Sequence, residues 1–412
     1  MPKFLPVGVR RGLRLLRPIW YREYVFGGRG TMSDRITEVT RTGFGSRILG
    51  SFIGVLFGIL LVIGSVILLY WNEGRAVQAA RALQEGERTV VEASAEQVNN
   101  SLDGKLVHVV GQLSTSNGLR DNQFGVGGAD VVRLKRNVQM YQWKESEKTE
   151  TRNEVGGGKV EEKTYTYTKV WSDSPIDSSH FHAGNGHSNP PMPLRNAVMN
   201  NASTKLAAYR LDNAILDVMD NFEALQPEGA NAPNGYRREG DGFYRGADSA
   251  NPAIGDLRVN FSAIKTQTMS VLGAQSGNIL APFHADNGYV IKLAAPGVSS
   301  ATAMLKEAEK SERILTWILR GIGFVVMLIG LMLIAGPISA LAMVLPFLGG
   351  LVQGAAFVVA FLIAMPLTLF VIAISWIAHR PLLGVILLVV AGVLLFGAIY
   401  LRRHRKAASA PA

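Results

Sequence analysis

Three histidines that stand close together in the sequence are the residues whose type and spacing best fit metal chemistry. His180, His182 and His187 fall within one short segment of a chain that has 7 histidines in all. Residues at i and i+2 of a strand lie on one face, so the first two could hold an ion whose coordination the third completes. The segment is rich in Gly, Asn and Pro, and no carboxylate beside it has the spacing of a further ligand. We therefore favour a polar loop whose histidines bond to the backbone, and we expect no metal or other cofactor.

The sequence contains none of the common catalytic signatures. A nucleophile elbow and an HExxH pair are absent, and Gly158-Lys159 is followed by Val160 where a phosphate-binding loop needs a hydroxyl. The glycine-rich residues 124–128 are typical of a turn. The chain has 0 cysteines, which excludes thiol chemistry and thiolate metal sites. We expect no catalytic residues and no enzymatic activity.

Glycines at four-residue spacing mark one face of the first long apolar run. Gly50, Gly54 and Gly58 form a GxxxGxxxG stripe, which lets two helix backbones approach closely. The stripe predicts a helix-packing surface. Its partner is either another span of the same chain or a second copy of the protein.

Long apolar runs determine the fold class. A bilayer core of about 30 Å is crossed by about 20 helical residues, and backbone groups in lipid must satisfy one another within a helix. We predict an integral membrane protein with four membrane-spanning helices and one inserted, strand-rich α+β domain. The predicted segments are a basic arm at 1–47, a span at 48–70, the domain at 71–313, further spans at about 318–340, 351–377 and 381–401 (all within 314–401), and a basic tail at 402–412. Residues 338–348 also fit an interfacial or re-entrant piece.

The positive charge of the chain is concentrated outside the polar domain. The chain has 42 Lys+Arg and 32 Asp+Glu, whereas residues 71–313 hold 26 basic and 29 acidic residues. Basic residues that flank spans indicate the cytoplasmic side, so their position here does not favour nucleic acid as a partner. We expect both ends in the cytoplasm and the domain outside it. The expected location is a bacterial inner (plasma) membrane, or the ER or inner nuclear membrane if the chain is eukaryotic.

Shorter patterns predict the elements of the domain. Apolar, β-branched and aromatic residues predict strands near 106–110, 131–143, 163–171, 257–261, 266–272 and 289–293. Gly156, Gly157 and Gly158 predict the tip of a hairpin, and residues 301–313 a helix that leads into the second span. Apolar residues at i, i+4, i+7 and i+11 predict an amphipathic helix over residues 203–224; they are Leu211, Ile215, Val218 and Phe222.

Several local strings, in their order and spacing, resemble the transmembrane protein 43 family, also called LUMA. The strings are DRITEVT (34–40), WNEGRA (71–76), GKLVH (104–108), MYQW (140–143), HSNP (187–190), NPAIGDLR (251–258) and RPLLG (380–384). Together they cover nearly all of residues 32–401. Residues 1–31 have no matching string, so we expect translation to start at Met32.

The resemblance implies four spans and a large luminal or extracytoplasmic domain after the first. It also implies a role in membrane organisation, self-association and binding to other envelope proteins, and it carries no catalytic residues over. We interpret the chain as a bacterial relative, to which lamin-type partners do not transfer.

Three functions follow as hypotheses. The leading one is a non-enzymatic, self-associating membrane scaffold whose outer domain binds other membrane or envelope components. The second is a channel or transporter-like assembly of the C-terminal spans, which the scarcity of polar residues in those spans disfavours. The third is a metal-dependent enzyme centred on His180, His182 and His187.

Overall fold

The computed structural model describes residues 22–25, 35–153, 158–342 and 346–379. The helices are α1 (Phe44–Thr89), α2 (Asn213–Leu216), α3 (Ala301–Ile334), α4 (Gly336–Ala342) and α5 (Pro346–His379). The strands are β1 (Arg22–Val25), β2 (Arg35–Thr42), β3 (Val91–Glu92), β4 (Leu106–Ser114), β5 (Leu119–Arg120), β6 (Gly127–Gly128), β7 (Val131–Asn153), β8 (Lys159–Ser172), β9 (Ala197–Asn200), β10 (Lys205–Leu206), β11 (Tyr209–Leu211), β12 (Glu223–Leu225), β13 (Arg237–Glu239), β14 (Gly242–Arg245), β15 (Leu257–Lys265), β16 (Thr268–Ser276), β17 (Ile279–Ala281), β18 (Phe283–His284), β19 (Val290–Ile291) and β20 (Leu293–Pro296).

Among the described residues, three helices are long and apolar enough to cross a membrane. They cover Ile48–Thr89, Ala301–Ile334 and Gly354–His379. The strand-rich region lies between the first and the second, as the sequence predicts. The fourth predicted span, 381–401, lies outside the described residues, and so does the predicted start at Met32.

The second span is interrupted earlier than the sequence predicts. α3 ends at Ile334, and the short helix α4 begins at Gly336, whereas the predicted span continues to about residue 340. Pro337 accounts for the interruption, because proline has no N–H to donate to the preceding turn and its ring crowds a carbonyl of that turn. The stretch 338–348 contains the rest of α4 and the start of α5.

The helices α1 and α3 form one long antiparallel pair. A Cβ added at Gly58 would lie 2.6 Å from the carbonyl oxygen of Gly330, and one at Gly323 would lie 2.6 Å from the side chain of Leu69. Leu83 packs in one buried cluster with Leu305. From position 58 to position 83 a helix rises about 38 Å, which exceeds the hydrocarbon core of about 30 Å. The pair therefore continues from the membrane into the domain without a break.

The described part of the domain contains two large sheets and two two-stranded pairs, β5 with β6 and β18 with β19. A nine-stranded sheet runs in the order β1-β2-β8-β7-β15-β14-β13, with β12 and β9 on its branches. A seven-stranded sheet runs in the order β20-β16-β17-β11-β10-β4-β3. In this second sheet β16 also pairs with β4, so that β4, β16, β17, β11 and β10 close into a ring around a buried core.

The predicted amphipathic helix over 203–224 is wrong. The structure has β10, β11, the single-turn helix α2 and an extended return to β12 in its place. Asp212 stops a longer helix from starting earlier, because its side chain caps α2 by accepting from the N–H of Ala214. Leu211 and Ile215 are nevertheless buried, as predicted, because β10 and β11 help close the ring. Pairing with distant strands determines the backbone conformation of these residues, and the spacing of apolar residues in the sequence does not reveal that pairing.

The remaining predicted elements agree with the structure. Strands β4, β7, β8 and β15 cover their predicted stretches, β16 and the pair β19 and β20 overlap theirs, and α3 contains residues 301–313. β7 and β8 form one antiparallel hairpin that runs from the pair Met140 and Ser172 to the pair Asn153 and Lys159. Its predicted glycine tip falls mostly on residues 154–157, which are outside the described ranges.

The ladder between β2 and β8 bears on the predicted sidedness. Arg35 lies opposite Thr166 and Thr42 opposite Lys159, although the apolar residues 48–70 separate the two strands in sequence. A helix that crosses a bilayer through 48–70 places β2 on one face and β8 on the other, where hydrogen bonds between them cannot form. The ladder and the predicted sidedness are therefore alternatives for the protein in a membrane.

Candidate functional site

Charged side chains converge where the membrane-spanning parts of α1, α3 and α5 reach the strand-rich domain. We call this group the junction cluster; it consists of Asn72, Glu73, Arg75, Glu312, Thr316, Arg320 and Trp376. The antiparallel packing of α1 and α3 determines its composition, because residues that follow the first apolar run face residues that precede the second.

The centre of the junction cluster is an ion pair between Glu73 and Arg320. Arg320 Nε donates to Glu73 Oε1 at 2.6 Å, and Nη2 donates to Oε2 at 2.8 Å. Trp376 Nε1 donates to the same Oε2 at 2.7 Å. Glu73 is only 1% exposed, and a carboxylate in so dry a place needs an opposite charge and several hydrogen bonds to offset its desolvation. Glu73 therefore joins all three long helices at one point.

Aromatic rings enclose the guanidinium group of Arg320. Its central carbon lies 4.7 Å from the ring centroid of Trp317 and 5.9 Å from that of Trp376. Tryptophan is enriched where lipid meets water, and a cation over its ring is attracted by the ring quadrupole. The two rings therefore add cation–π attraction to the ion pair.

A second layer lies one turn closer to the domain. Arg75 pairs with Glu312 and donates from Nη2 to Thr316 Oγ1 at 3.1 Å. Tyr289 donates its hydroxyl to Glu312 Oε1 at 2.9 Å. Burial, followed by this hydrogen bond, raises the pKa of Tyr289 to about 12. The phenol thus stays a donor at neutral pH and links the domain loop before β19 to α3.

The end of α5 is fastened to α1 beside the cluster. Ser375 Oγ donates to the Tyr70 carbonyl oxygen at 3.2 Å, and Arg81 Nη2 donates to the His379 carbonyl oxygen at 2.7 Å. His379 also lies against Gly74, where a Cβ would come within 2.8 Å of its ring. These contacts hold α5 in register with α1 at the level of the junction cluster.

The charged groups of the junction cluster are engaged with one another. The carboxylates of Glu73 and Glu312 both accept hydrogen bonds from guanidinium groups. Charges paired in this way are typical of a structural contact between helices. A cavity of about 170 Å³ adjoins the cluster on the side of Ala80, Glu309 and Arg313.

The three predicted histidines do not meet at one point. His180 is exposed at the surface and lies 2.9 Å from Asp177 Oδ2. His182 stacks on Tyr165 with ring centroids 4.1 Å apart, and His187 stacks on Tyr167 at 3.9 Å. Within the described residues, no three His, Cys, Asp or Glu side chains are grouped to hold a metal ion.

His182 and His187 anchor the loop after β8 to the hairpin. His187 is 2% exposed, and its Nδ1 lies 3.1 Å from the Ala183 carbonyl oxygen. The hydroxyl of Tyr167 donates to Glu145 Oε2 at 2.6 Å, and burial raises the pKa of Tyr167 above its usual range. Both histidines therefore act as flat rings packed on a strand pair.

The three glycines of the stripe occupy different surroundings. Gly58 meets the backbone of Gly330, and a Cβ at Gly54 would touch only the side chain of Leu333 at 3.9 Å. A Cβ at Gly50 would have no neighbour within 4 Å among the described residues. The Gly58 end of the stripe thus packs against α3, whereas no described atom lies within 4 Å at the Gly50 end.

Neither Glu73 nor Arg320 stands out in the sequence as a site residue. The available signal is that Glu73 follows the first predicted span and Arg320 lies at the start of the second. One is acidic and the other basic, and both lie at the same face of the membrane. Two antiparallel spans would bring such residues together. Trp376 gives no comparable signal, because its hydrogen bond depends on where α5 packs.

Long apolar helices joined through a buried ion pair to a strand-rich domain define an integral membrane protein with a large water-exposed domain. The chain belongs to the transmembrane protein 43 family, whose sequence model matches residues 140–381. This confirms the resemblance seen in the sequence.

Known relatives extend the match over most of the chain. Human transmembrane protein 43 is 32% identical over 375 residues, which cover 88% of this chain and 92% of the human protein. The mouse protein is 32% identical over 361 residues, with 84% of this chain and 90% of the relative covered. The Drosophila melanogaster homologue is 30% identical over 341 residues, with 81% and 90% covered. No solved structure matches the chain.

The ion pair can be tested with a mutant cycle. Glu73→Gln leaves the charge of Arg320 buried without its partner, so we expect a loss of about 3 kcal/mol of stability. Replacing Glu73 and Arg320 together by Met removes both charges and should cost about 1 kcal/mol or less. Thermal unfolding in a mild detergent measures both. A loss in the double variant equal to the sum of the losses of Glu73→Met and Arg320→Met, each measured alone, would show that the pair is not coupled.

The structural role of the histidines predicts a difference between two identical substitutions. His187→Ala should open a cavity against Tyr167 and cost about 2 to 3 kcal/mol, whereas His180→Ala, at a side chain 86% exposed, should change the melting temperature little. Metal analysis of the purified protein should find no stoichiometric ion. A bound ion that is lost in both variants would contradict this role and favour the metal-enzyme hypothesis.

Proposed function

We propose that this protein is a non-enzymatic, multi-pass membrane scaffold. It self-associates, holds its strand-rich domain at a fixed height above the bilayer and binds other membrane or envelope proteins through that domain. The observation that carries the proposal is the unbroken α1–α3 pair, which passes from the spans through the junction cluster into the domain core. Such a rigid connection suits a protein that positions partners more than a protein that closes around a substrate.

The proposed sidedness has the domain 71–313 outside the cytoplasm and both basic ends inside it. The apolar side chains of the first span support a bilayer crossing, since Leu56 and Leu60 are 65% and 64% exposed and need lipid around them. In a bacterium this membrane is the inner (plasma) membrane. In a eukaryote it is the ER membrane or the inner nuclear membrane. The proposed partners are the lipid bilayer, further copies of the chain and other membrane proteins, but not nucleic acid.

Sidedness also supplies a docking edge for partner proteins. With β2 on the cytoplasmic face, the edge of β8 that β2 covers in the structure would be open to a strand from another protein. Backbone hydrogen bonds along an exposed edge supply affinity, and alternate side chains supply specificity. β2 itself, with Arg35 opposite Thr166 and Thr42 opposite Lys159, shows the register that such a strand would take.

The sidedness predicts which cysteine pairs can form a disulfide in sealed membranes. The chain has 0 natural cysteines, so introduced pairs report without background. Thr164 lies opposite Thr37 of β2 and opposite Lys148 of β7, and directly opposed residues have Cβ atoms within about 5.5 Å. Oxidation should link Lys148→Cys to Thr164→Cys, because both lie in one hairpin. It should not link Thr37→Cys to Thr164→Cys, and an intramolecular bond in that pair would refute the sidedness.

Self-association predicts that the open end of the glycine stripe contacts a second copy. Gly50→Leu keeps the α1–α3 contact, since nothing described lies within 4 Å, yet it would hold a second helix away. We expect dimerisation in liposomes to weaken roughly tenfold, about 1.4 kcal/mol, because the leucine side chain holds the two backbones apart. Single-molecule co-localisation at several lipid ratios measures it.

Gly64→Leu is the matched control, because Gly64 lies on the same helix, has equally open surroundings and falls outside the four-residue repeat. Gly58→Leu is unsuitable as a probe, since it would break the contact with Gly330. If Gly50→Leu lowers thermal stability but leaves dimerisation intact, the stripe packs against a span of its own chain and the self-association proposal fails.

A further inference from the structure

An open groove crosses the level at which the bilayer meets water. It has a volume of about 1050 Å³ and lies between α1, the end of α5 and the loop that carries Asn287. Its lower wall is apolar and aromatic, with Val66, Ile67, Tyr70 and Trp71. Its upper wall is polar, with Arg75, Gln78, Arg81, Asn287 and His379. A molecule that fills it must have an apolar end and a polar end.

The charge on the upper wall is positive. Arg75 is neutralised by Glu312, whereas the guanidinium of Arg81 contacts no carboxylate among the described residues and donates only to the His379 carbonyl oxygen. One such bond leaves several of its N–H groups available. Side chains on a helix lean toward its N-terminus, so Arg81 reaches from the domain side down toward the bilayer. The groove thus offers a fixed, unneutralised cation just above an apolar surface.

The walls of the groove are held in place without any ligand. Gln78 Nε2 donates to the Asn287 carbonyl oxygen at 2.6 Å, and Asn287 Nδ2 donates to the Gln78 carbonyl oxygen at 2.7 Å. Ser375 fixes α5 to the backbone of Tyr70. A site that needs no rearrangement loses little free energy to ordering when it binds.

We propose that this groove binds one anionic phospholipid. The phosphate and acidic headgroup lie against Arg81 and the polar upper wall, and an acyl chain lies along Val66, Ile67 and Tyr70. Guanidinium and phosphate match in charge and in hydrogen-bond geometry. The apolar lower wall selects a lipid over a free phosphate. The bound lipid would join α5 to α1 on the side opposite the Glu73–Arg320 pair.

Lipid retention measured by native mass spectrometry tests the proposal on the full chain. The protein is reconstituted with equal amounts of phosphatidylglycerol and phosphatidylcholine of identical acyl chains, and the lipids that survive gentle detergent removal are counted. We expect the wild type to retain phosphatidylglycerol in preference. Arg81→Gln should reduce that preference about fivefold, the factor that one basic residue near an anionic surface contributes.

Arg88→Gln is the control, because Arg88 lies two turns farther from the membrane on the same face of α1. It should keep the preference of the wild type, and the melting temperature of each variant confirms that it is folded. Equal retention of both lipids, no retained lipid, or an unchanged preference in Arg81→Gln would overturn the proposal. Displacement of the lipid by inorganic phosphate would overturn it as well, since the site would then recognise phosphate alone.

Discussion

The buried ion pair between Glu73 and Arg320 is the interaction on which the arrangement of the molecule depends. A carboxylate at the end of a membrane span cannot lie in lipid or in a dry protein interface without its counter-charge. The pair therefore determines how far α1 can slide along α3, and the bond from Trp376 extends the same constraint to α5. The other described contacts between these three helices in the bilayer are mainly apolar, so the ion pair gives them a common register.

The register of the helices in turn positions the domain. The outer ends of α1 and α3 are part of the domain's own core, where Leu83 and Leu305 pack with Leu106 of β4 and Leu272 of β16. Tyr289 adds a polar link from the domain to Glu312. Anchor and domain are thus built as one packed unit, and a displacement of the spans would be transmitted to the ring of strands above them.

Much of this layout follows from sequence because lipid restricts the chain so strongly. Apolar runs, the long strands β7 and β8 and the helix that leads into the second span were all predictable from composition and period. Residues 203–224 were not, since Leu211 and Ile215 show a helical period while the backbone of Leu211 pairs in the strand ring and Ile215 lies in the single turn of α2. The ion pair between Glu73 and Arg320 likewise depends on how α1 packs against α3. The stacking of His182 on Tyr165 and of His187 on Tyr167 could not be predicted either, because the spacing of histidines does not indicate it.

Hydrogen–deuterium exchange in lipid nanodiscs tests most directly whether anchor and domain form one continuous unit. The informative amides are those of residues 72–83 on α1 and 305–316 on α3, which lie between the membrane and the domain core. If the ion pair holds α1 and α3 as continuous helices, amide exchange should be slow throughout both segments, with protection equal to that of the adjoining span. Rapid exchange in residues 72–76, between protected segments on either side, would reveal a hinge at the junction and contradict a domain held at a fixed height.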